Sequence, residues 1–379
     1  MDSNILKSDN KISKNVLTDA SMLITEAAVR SGADVYIGYP ITPSNRFYNY
    51  ASQRFPVFMA GPDEISVMQW MCGFSAAGKF PVTATAFPGL ALMTEGINMA
   101  YMMELPMLII LTQRLGPSTG SATTGAEGDL MFLNGIISGY YPVPVISHSG
   151  IEDAWTMTNE AIKLALKFKT PVVLLTSKEL VMTTKTFDIS QLSEISEIEK
   201  FSKNISDSFF TYKSDQDMIP QYLPVGNDRV QLRLNSSTHN EKGFIGKNDA
   251  ESMNNTKRLN EKFMKRINDF TFYEYDNQDN AIKLIVTYGI SSEASRDAII
   301  KLRESGIKIS LLIVKTLLPV PFEIVKIINS YKEIFIVEEN YRGIYADIIF
   351  GQNIPDNVIK INKIGNMISP DEIFKIAKS

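Results

Sequence analysis

Over residues 1–186 the apolar and polar positions fall into alternating blocks. Helical spacing over 20–30, 64–77, 92–103 and 152–168 is interrupted by short runs that are apolar nearly throughout: DVYIGY, VTATAF, MLIIL and PVVLLT. Strands of this kind, separated by helices, predict a parallel sheet covered on both faces. The expected architecture for 1–186 is therefore an open, doubly wound, mostly parallel α/β domain. From 187 to 280 the chain turns polar and rich in Asn and Lys, which predicts a connector carrying one helix from about 249 to 267. Alternation resumes over 281–379, where IKLIVTYGI, ISLLIV, EIFIVEE and NVIKINKIG read as strands of a second, smaller α/β domain. Ser291 or Ser292 is a candidate N-cap for the helix after the first of them.

In a doubly wound sheet, ligands gather outside the carboxyl ends of the strands. The segment Gly38-Tyr39-Pro40-Ile41-Thr42-Pro43-Ser44 follows DVYIGY at such an end, and its two prolines restrict the backbone and remove two donors. A stiff loop presenting Thr42 and Ser44 results. Three further stretches are candidates for the same edge. Asp63 and Glu64 open a helix with apolar following turns; Asp63 reads as a complement to the helix dipole, whereas desolvation of Glu64 would suit it to proton exchange. Gly89, in the strand-to-helix junction AFPG, allows close backbone approach to a ring or phosphate, though turn chemistry explains it equally well. Arg114, directly after a buried strand, needs an anionic partner, either a structural carboxylate or a bound anion.

Composition narrows the chemistry. A net charge of −4 gives no preference for nucleic acid or an anionic membrane, and no apolar run reaches the 18 or so residues of a membrane span. The N-terminus lacks the apolar core of a secretion signal, so a cytoplasmic protein is expected. Cys72 is the single cysteine, so this chain alone can ligate no iron–sulfur cluster and form no internal disulfide. No P-loop and no dinucleotide fingerprint is present. With only His148 and His239, for which structural or surface roles are expected, no metal site is expected either.

Taken in order, the stretches GYPITPS, PDEI, TATAFPG and QRLGPSTG followed by Gly128-Asp129-Leu130, with LPVGND, THNEKGFIGKND and VEENYRG further on, resemble the α subunit of the 2-oxoacid:ferredoxin oxidoreductases. The similarity is strongest to the 2-oxoglutarate type and covers nearly the whole chain. It implies a thiamine diphosphate pyrimidine-binding domain and a C-terminal domain of transketolase type. The cofactor would be shared with a β subunit that holds its diphosphate, Mg²⁺ and a [4Fe-4S] cluster. Through the resemblance, Glu64 corresponds to the carboxylate that hydrogen-bonds N1′ of the aminopyrimidine, while Tyr39, Pro40, Ile41 and Gly89 line the cofactor. Thr42, Arg114 and Thr123 correspond to residues that bind the 2-oxoacid. The implied reaction is CoA-dependent oxidative decarboxylation of 2-oxoglutarate or a related 2-oxoacid, with electrons leaving to ferredoxin. A hetero-oligomer such as a dimer of αβ units follows.

Three positions depart from the family pattern: Thr124 replaces a basic residue, Phe87 precedes Pro88-Gly89, and Pro62 replaces an acid. Two alternatives stay open at this point, a transketolase-like non-oxidative thiamine enzyme and a scaffold subunit whose site has decayed.

Overall fold

The computed structural model describes residues 14–201 and 209–379; the N-terminal stretch read above for a secretion signal falls almost wholly outside them. The first domain runs β1 (Asn15–Thr18), α1 (Ala20–Arg30), β2 (Val35–Gly38), α2 (Asn45–Arg54), β3 (Val57–Ala60), α3 (Glu64–Ala76), β4 (Pro81–Thr85), α4 (Phe87–Met102), β5 (Met107–Gln113), α5 (Leu130–Asn134), β6 (Val145–Ser147), α6 (Ile151–Phe168), β7 (Pro171–Ser177), α7 (Lys178–Met182) and β8 (Lys185–Asp188). The connector contributes α8 (Ala250–Met264) and β9 (Tyr273–Asp276). The rest comprises β10 (Lys283–Thr287), α9 (Ser291–Glu304), β11 (Ile309–Val314), β12 (Thr316–Leu318), α10 (Phe322–Asn329), β13 (Glu333–Glu338), α11 (Ile344–Phe350), β14 (Val358–Asn362) and α12 (Pro370–Lys378).

Seven strands form the main sheet in the order β12-β6-β7-β5-β4-β2-β3, parallel except for β12, which runs antiparallel to β6. Every residue of β2, β4, β5 and β7 is buried, because helices cover both faces. That is why these strands read as unbroken apolar runs. The second sheet, β14-β13-β10-β11-β9, is parallel apart from β9. Both sheets draw strands across the expected divisions. β12 leaves the C-terminal segment to pair with Ile146 and Val145 of the main sheet, and β9 lies within the stretch expected to be connector.

The connector is packed rather than extended. Asp249 caps α8 by accepting the Ser252 N–H at 2.9 Å, and the helix ends at Met264, short of the expected 267. Glu104, at the end of α4, receives Arg258 and the fully buried Lys262 of α8, the latter at 2.9 Å. Val225 N–H donates to the Ala76 carbonyl at 2.8 Å, pinning the polar stretch to α3.

Two helix starts differ from expectation. α4 begins at Phe87 rather than 92, because Pro88 is tolerated in a first turn where its missing N–H would have had no partner. Neither Ser291 nor Ser292 is the N-cap of α9. That helix begins at Ser291, and a side chain from the first domain, Glu127, sits at its start, accepting the N–H of the preceding Ile290 at 2.9 Å.

Candidate active site

The strands β5, β4, β2 and β3 are consecutive neighbours in the main sheet. Their carboxyl ends therefore deliver the four sequence-predicted stretches side by side: QRLGPSTG after β5, AFPG after β4, YPITPS after β2 and PDEI after β3. Ser44 ties three of these ends together. Its hydroxyl, 2% exposed, lies 2.8 Å from the Thr85 carbonyl of β4 and 2.9 Å from the Thr112 hydroxyl of β5. The serine thus holds the loop in place, leaving Thr42 half-buried at the edge, where its hydroxyl accepts the Asn45 side-chain amide at 3.1 Å.

Arg114 is buried, and one of its terminal nitrogens donates to the Thr42 carbonyl. Its Nε, also buried, has no hydrogen-bond partner among the described residues. The structure therefore brings Arg114 to Thr42 and leaves a donor of the guanidinium unused. Asp63 caps α3 by accepting the Ser66 N–H at 2.7 Å, which explains why the neighbouring residue is the one turned inward. Glu64 is 6% exposed and lies over the first turn of α4. A Cβ added at Gly89 would stand 2.7 Å from its Oε1 and 2.1 Å from the Thr85 hydroxyl. Only glycine leaves the carboxyl its place.

Tyr39 and Pro40 are exposed, Ile41 is half-buried, and Thr123 stands exposed on the loop beyond Arg114. The structure thus gathers Thr42, Glu64, Gly89 and Arg114 and leaves Thr123 at the surface of the isolated chain. A cavity of about 310 Å³ opens beside the Arg114 loop, walled by Phe87, Leu115, Pro117 and Asp129 on one side and by Asn340, Tyr341, Arg342 and Ile344 of the second domain on the other. Asp129 was not predicted from the sequence. Burial pushes its carboxyl up to about 7, Arg114 pulls the other way, and its Oδ2 has no partner among the described residues. Both histidines are held by the fold. His148 is fully buried, with Nδ1 2.8 Å from the Gly150 carbonyl and Nε2 2.8 Å from the Thr176 hydroxyl; His239 packs on Tyr212. Among the described residues no cluster of three or more His, Cys, Asp or Glu side chains could hold a metal ion, and no helix is long and apolar enough to cross a membrane.

Comparison with known proteins places this arrangement. Residues 26–258 match the family described as pyruvate flavodoxin/ferredoxin oxidoreductase, thiamine diphosphate-binding, and residues 281–373 match pyruvate:ferredoxin oxidoreductase core domain II. The chain is 28% identical over 363 residues to the 2-oxoglutarate synthase subunit KorA of Archaeoglobus fulgidus, covering 93% of this chain and 96% of that one. It is 30% identical over 299 residues to the ketoisovalerate oxidoreductase subunit VorB of Methanothermobacter thermautotrophicus, covering 78% and 77%. Among solved structures it resembles 2-oxoglutarate:ferredoxin oxidoreductase from Magnetococcus marinus, determined with 2-oxoglutarate, coenzyme A and succinyl-CoA bound, with a TM-score of 0.89 and 25% identity. That match covers 96% of this chain but 65% of the longer one. A split-gene transketolase, at 14% identity and a TM-score of 0.53, shares the fold. With one family match spanning 26–258, more than half of the chain, and a second over 281–373, this protein belongs to the 2-oxoacid:ferredoxin oxidoreductases, as a chain of their α-subunit kind.

Proposed function

We propose that this chain supplies the aminopyrimidine half of a thiamine diphosphate site in a hetero-oligomeric, cytoplasmic 2-oxoacid:ferredoxin oxidoreductase. A β subunit would carry the diphosphate, Mg²⁺ and a [4Fe-4S] cluster. The observation that carries this reading is the convergence of Glu64, Thr42 and Arg114 at one sheet edge, with Gly89 keeping the space over Glu64 open. The residues fit the cofactor: a buried carboxyl faces a cradle that any Cβ would fill, and a buried guanidinium holds an unused donor. A single cysteine also requires that any cluster be ligated by another chain.

Glu64 would hold the aminopyrimidine ring and exchange a proton with its ring nitrogen, and Tyr39, Pro40 and Ile41 would help to line the cofactor. Arg114 binds the 2-oxoacid carboxylate by charge and a directed N–H, and Thr42 offers its hydroxyl to the carbonyl; Thr123 flanks the substrate once the partner covers this face. Position matters here because a misplacement of about 1 Å can cost about 100-fold in rate. Thiamine diphosphate, when bound, supplies the electron sink for decarboxylation. In the assembled enzyme CoA would take the acyl group, and the electrons would go to ferredoxin through the partner. Relatives are named for both 2-oxoglutarate and ketoisovalerate, and Thr124 offers a hydroxyl where a second, distal carboxylate would call for a cation. The substrate class is therefore 2-oxoacids, with 2-oxoglutarate one member.

The test is assembly and substitution. The chain alone should be inactive and bind thiamine diphosphate poorly, and co-expression with the β subunit should restore both. Iron in the active complex separates this reading from a non-oxidative, transketolase-like enzyme. Full turnover by Glu64→Gln in the complex would remove the proton-exchange role, and a complex that binds no thiamine diphosphate would leave only a scaffold.

A further inference from the structure

The stretch between Arg114 and α5 contains no helix or strand: residues 115–124 close on themselves, with the Leu115 N–H donating to the Thr124 carbonyl at 2.8 Å and the Ser121 N–H to the Leu115 carbonyl at 2.9 Å, and the Gly125 N–H donates to Glu179 Oε1 at 3.0 Å. Beyond Gly125, Glu127 joins this loop to the second domain. Its side chain is fully buried and crosses from the first domain into the second. Oε1 accepts the Ile290 N–H at 2.9 Å, while Oε2 accepts the Ser291 hydroxyl at 2.9 Å and the Glu339 N–H at 3.2 Å. The main chain adds more: Glu127 N–H donates to the Glu339 carbonyl at 2.7 Å, and its carbonyl accepts from the Asn340 amide at 3.2 Å and the Tyr288 hydroxyl at 3.4 Å.

The slot is built for this carboxyl. Gly289 sits at φ 55°, and a Cβ there would lie 2.1 Å from Glu127 Oε1. Two residues on, the Asp129 N–H donates to Gln113 Oε1 at 3.1 Å, so the fixed end of the loop is tied back to the residue preceding Arg114. Hydrogen bonds at Glu127 and Asp129, joined by the short chain between them, therefore link the N-terminus of α9 to the residue before Arg114.

We propose that Glu127 is the positioning residue of the substrate loop. By latching residue 127 to the second domain it holds Asp129 in the wall of the cavity and, through Gln113, the start of the Arg114 loop, and so sets the affinity for the 2-oxoacid. The proposal rests on the α-subunit reading above and adds to it a residue that touches neither cofactor nor substrate.

Kinetics of the assembled complex test it. Glu127→Ala should raise KM for the 2-oxoacid about tenfold, the equivalent of one buried hydrogen bond, and leave kcat within about threefold. Thiamine diphosphate affinity should not change. Glu127→Gln keeps partners for the Ile290 N–H and the Ser291 hydroxyl and should recover most of the loss. A purely structural defect lowers the active fraction, hence kcat, at unchanged KM, and that result would overturn the proposal. If Glu127→Ala does not assemble, Ser291→Ala carries the test, with a KM rise of about threefold expected and an unchanged KM counting against the latch. Amide hydrogen exchange over 115–129 gives a readout independent of turnover. Faster exchange in Glu127→Ala supports the latch and unchanged exchange refutes it, whereas a wild-type complex inactive on every 2-oxoacid would strike the functional reading instead.

Discussion

Gly89→Ala is the most informative single change, because it adds one carbon between two groups that the proposed mechanism needs. The new Cβ would lie 2.7 Å from Glu64 Oε1, 2.8 Å from Glu64 Cγ and 2.1 Å from Thr85 Oγ1. Ordinary carbon contacts stand at about 3.5–4.0 Å, and from 2.7 Å the Glu64 carboxyl therefore has to retreat by roughly 0.8 Å. Thr85 can turn its hydroxyl away by a rotamer change, but Glu64 is 6% exposed and has little room behind it. Stability should move little. Replacing glycine in a helix gains up to about 1 kcal/mol, and overpacking costs about 1–3 kcal/mol. Catalysis should suffer far more, since a shift of this size falls in the range that costs about 100-fold in rate. The assay is turnover of a 2-oxoacid by the assembled complex with a reducible dye, alongside thermal unfolding. We expect kcat to fall about 100-fold with KM within a few-fold, because Arg114 is untouched. Gly73→Ala is the control: it lies on α3, the helix that Glu64 opens, with nothing within 4 Å of an added Cβ, and should keep full activity. An assembled Gly89→Ala complex with wild-type kcat would refute the placement of Glu64 at the reacting ring.

Other substitutions test the supporting structure. Glu104→Ala leaves Lys262 buried without its carboxylate and should cost about 3–5 kcal/mol in denaturant unfolding; a loss under about 1 kcal/mol would show that α8 is held by packing alone. Asp129 is raised to about 7 in the folded chain by burial, so its contribution to stability is full below about pH 4 and is lost as pH rises through about 7. Asp129→Asn should flatten the stability curve over that window, read from unfolding midpoints at each end; an unchanged slope would show that Asp129 does not carry it. Glu339, also raised to about 7, contributes in the same direction. Ser44→Ala removes the partner of the Thr85 carbonyl and the Thr112 hydroxyl; we expect a loss of about 1–3 kcal/mol with a raised KM, and an unchanged KM would mean that the two prolines hold Thr42 without help.

What the sequence disclosed and what it concealed follow from the range of the interactions involved. β2, β4, β5 and β7 are buried on both faces, so each strand announces itself by its own composition, and the loops at their ends could be found by counting from them. Edge elements carry weaker marks. β3 is half-exposed at the border of the sheet, α2 buries only Phe47 and Ala51 in a polar and aromatic run, and β12 has three residues that belong by sequence to one domain and by pairing to the other. Glu64 and Arg114 stood out because a charge beside an apolar element needs an explanation wherever the rest of the chain goes. Glu127 did not, since nothing around it in sequence shows that its carboxyl will be buried. Its partners lie at Ile290, Ser291 and Glu339, more than 160 residues away. Sequence could suggest that α9 needed a cap, and it pointed to the nearest hydroxyl. The fold supplies a carboxylate from another domain instead, and thereby couples the position of the substrate loop to the packing of the two domains.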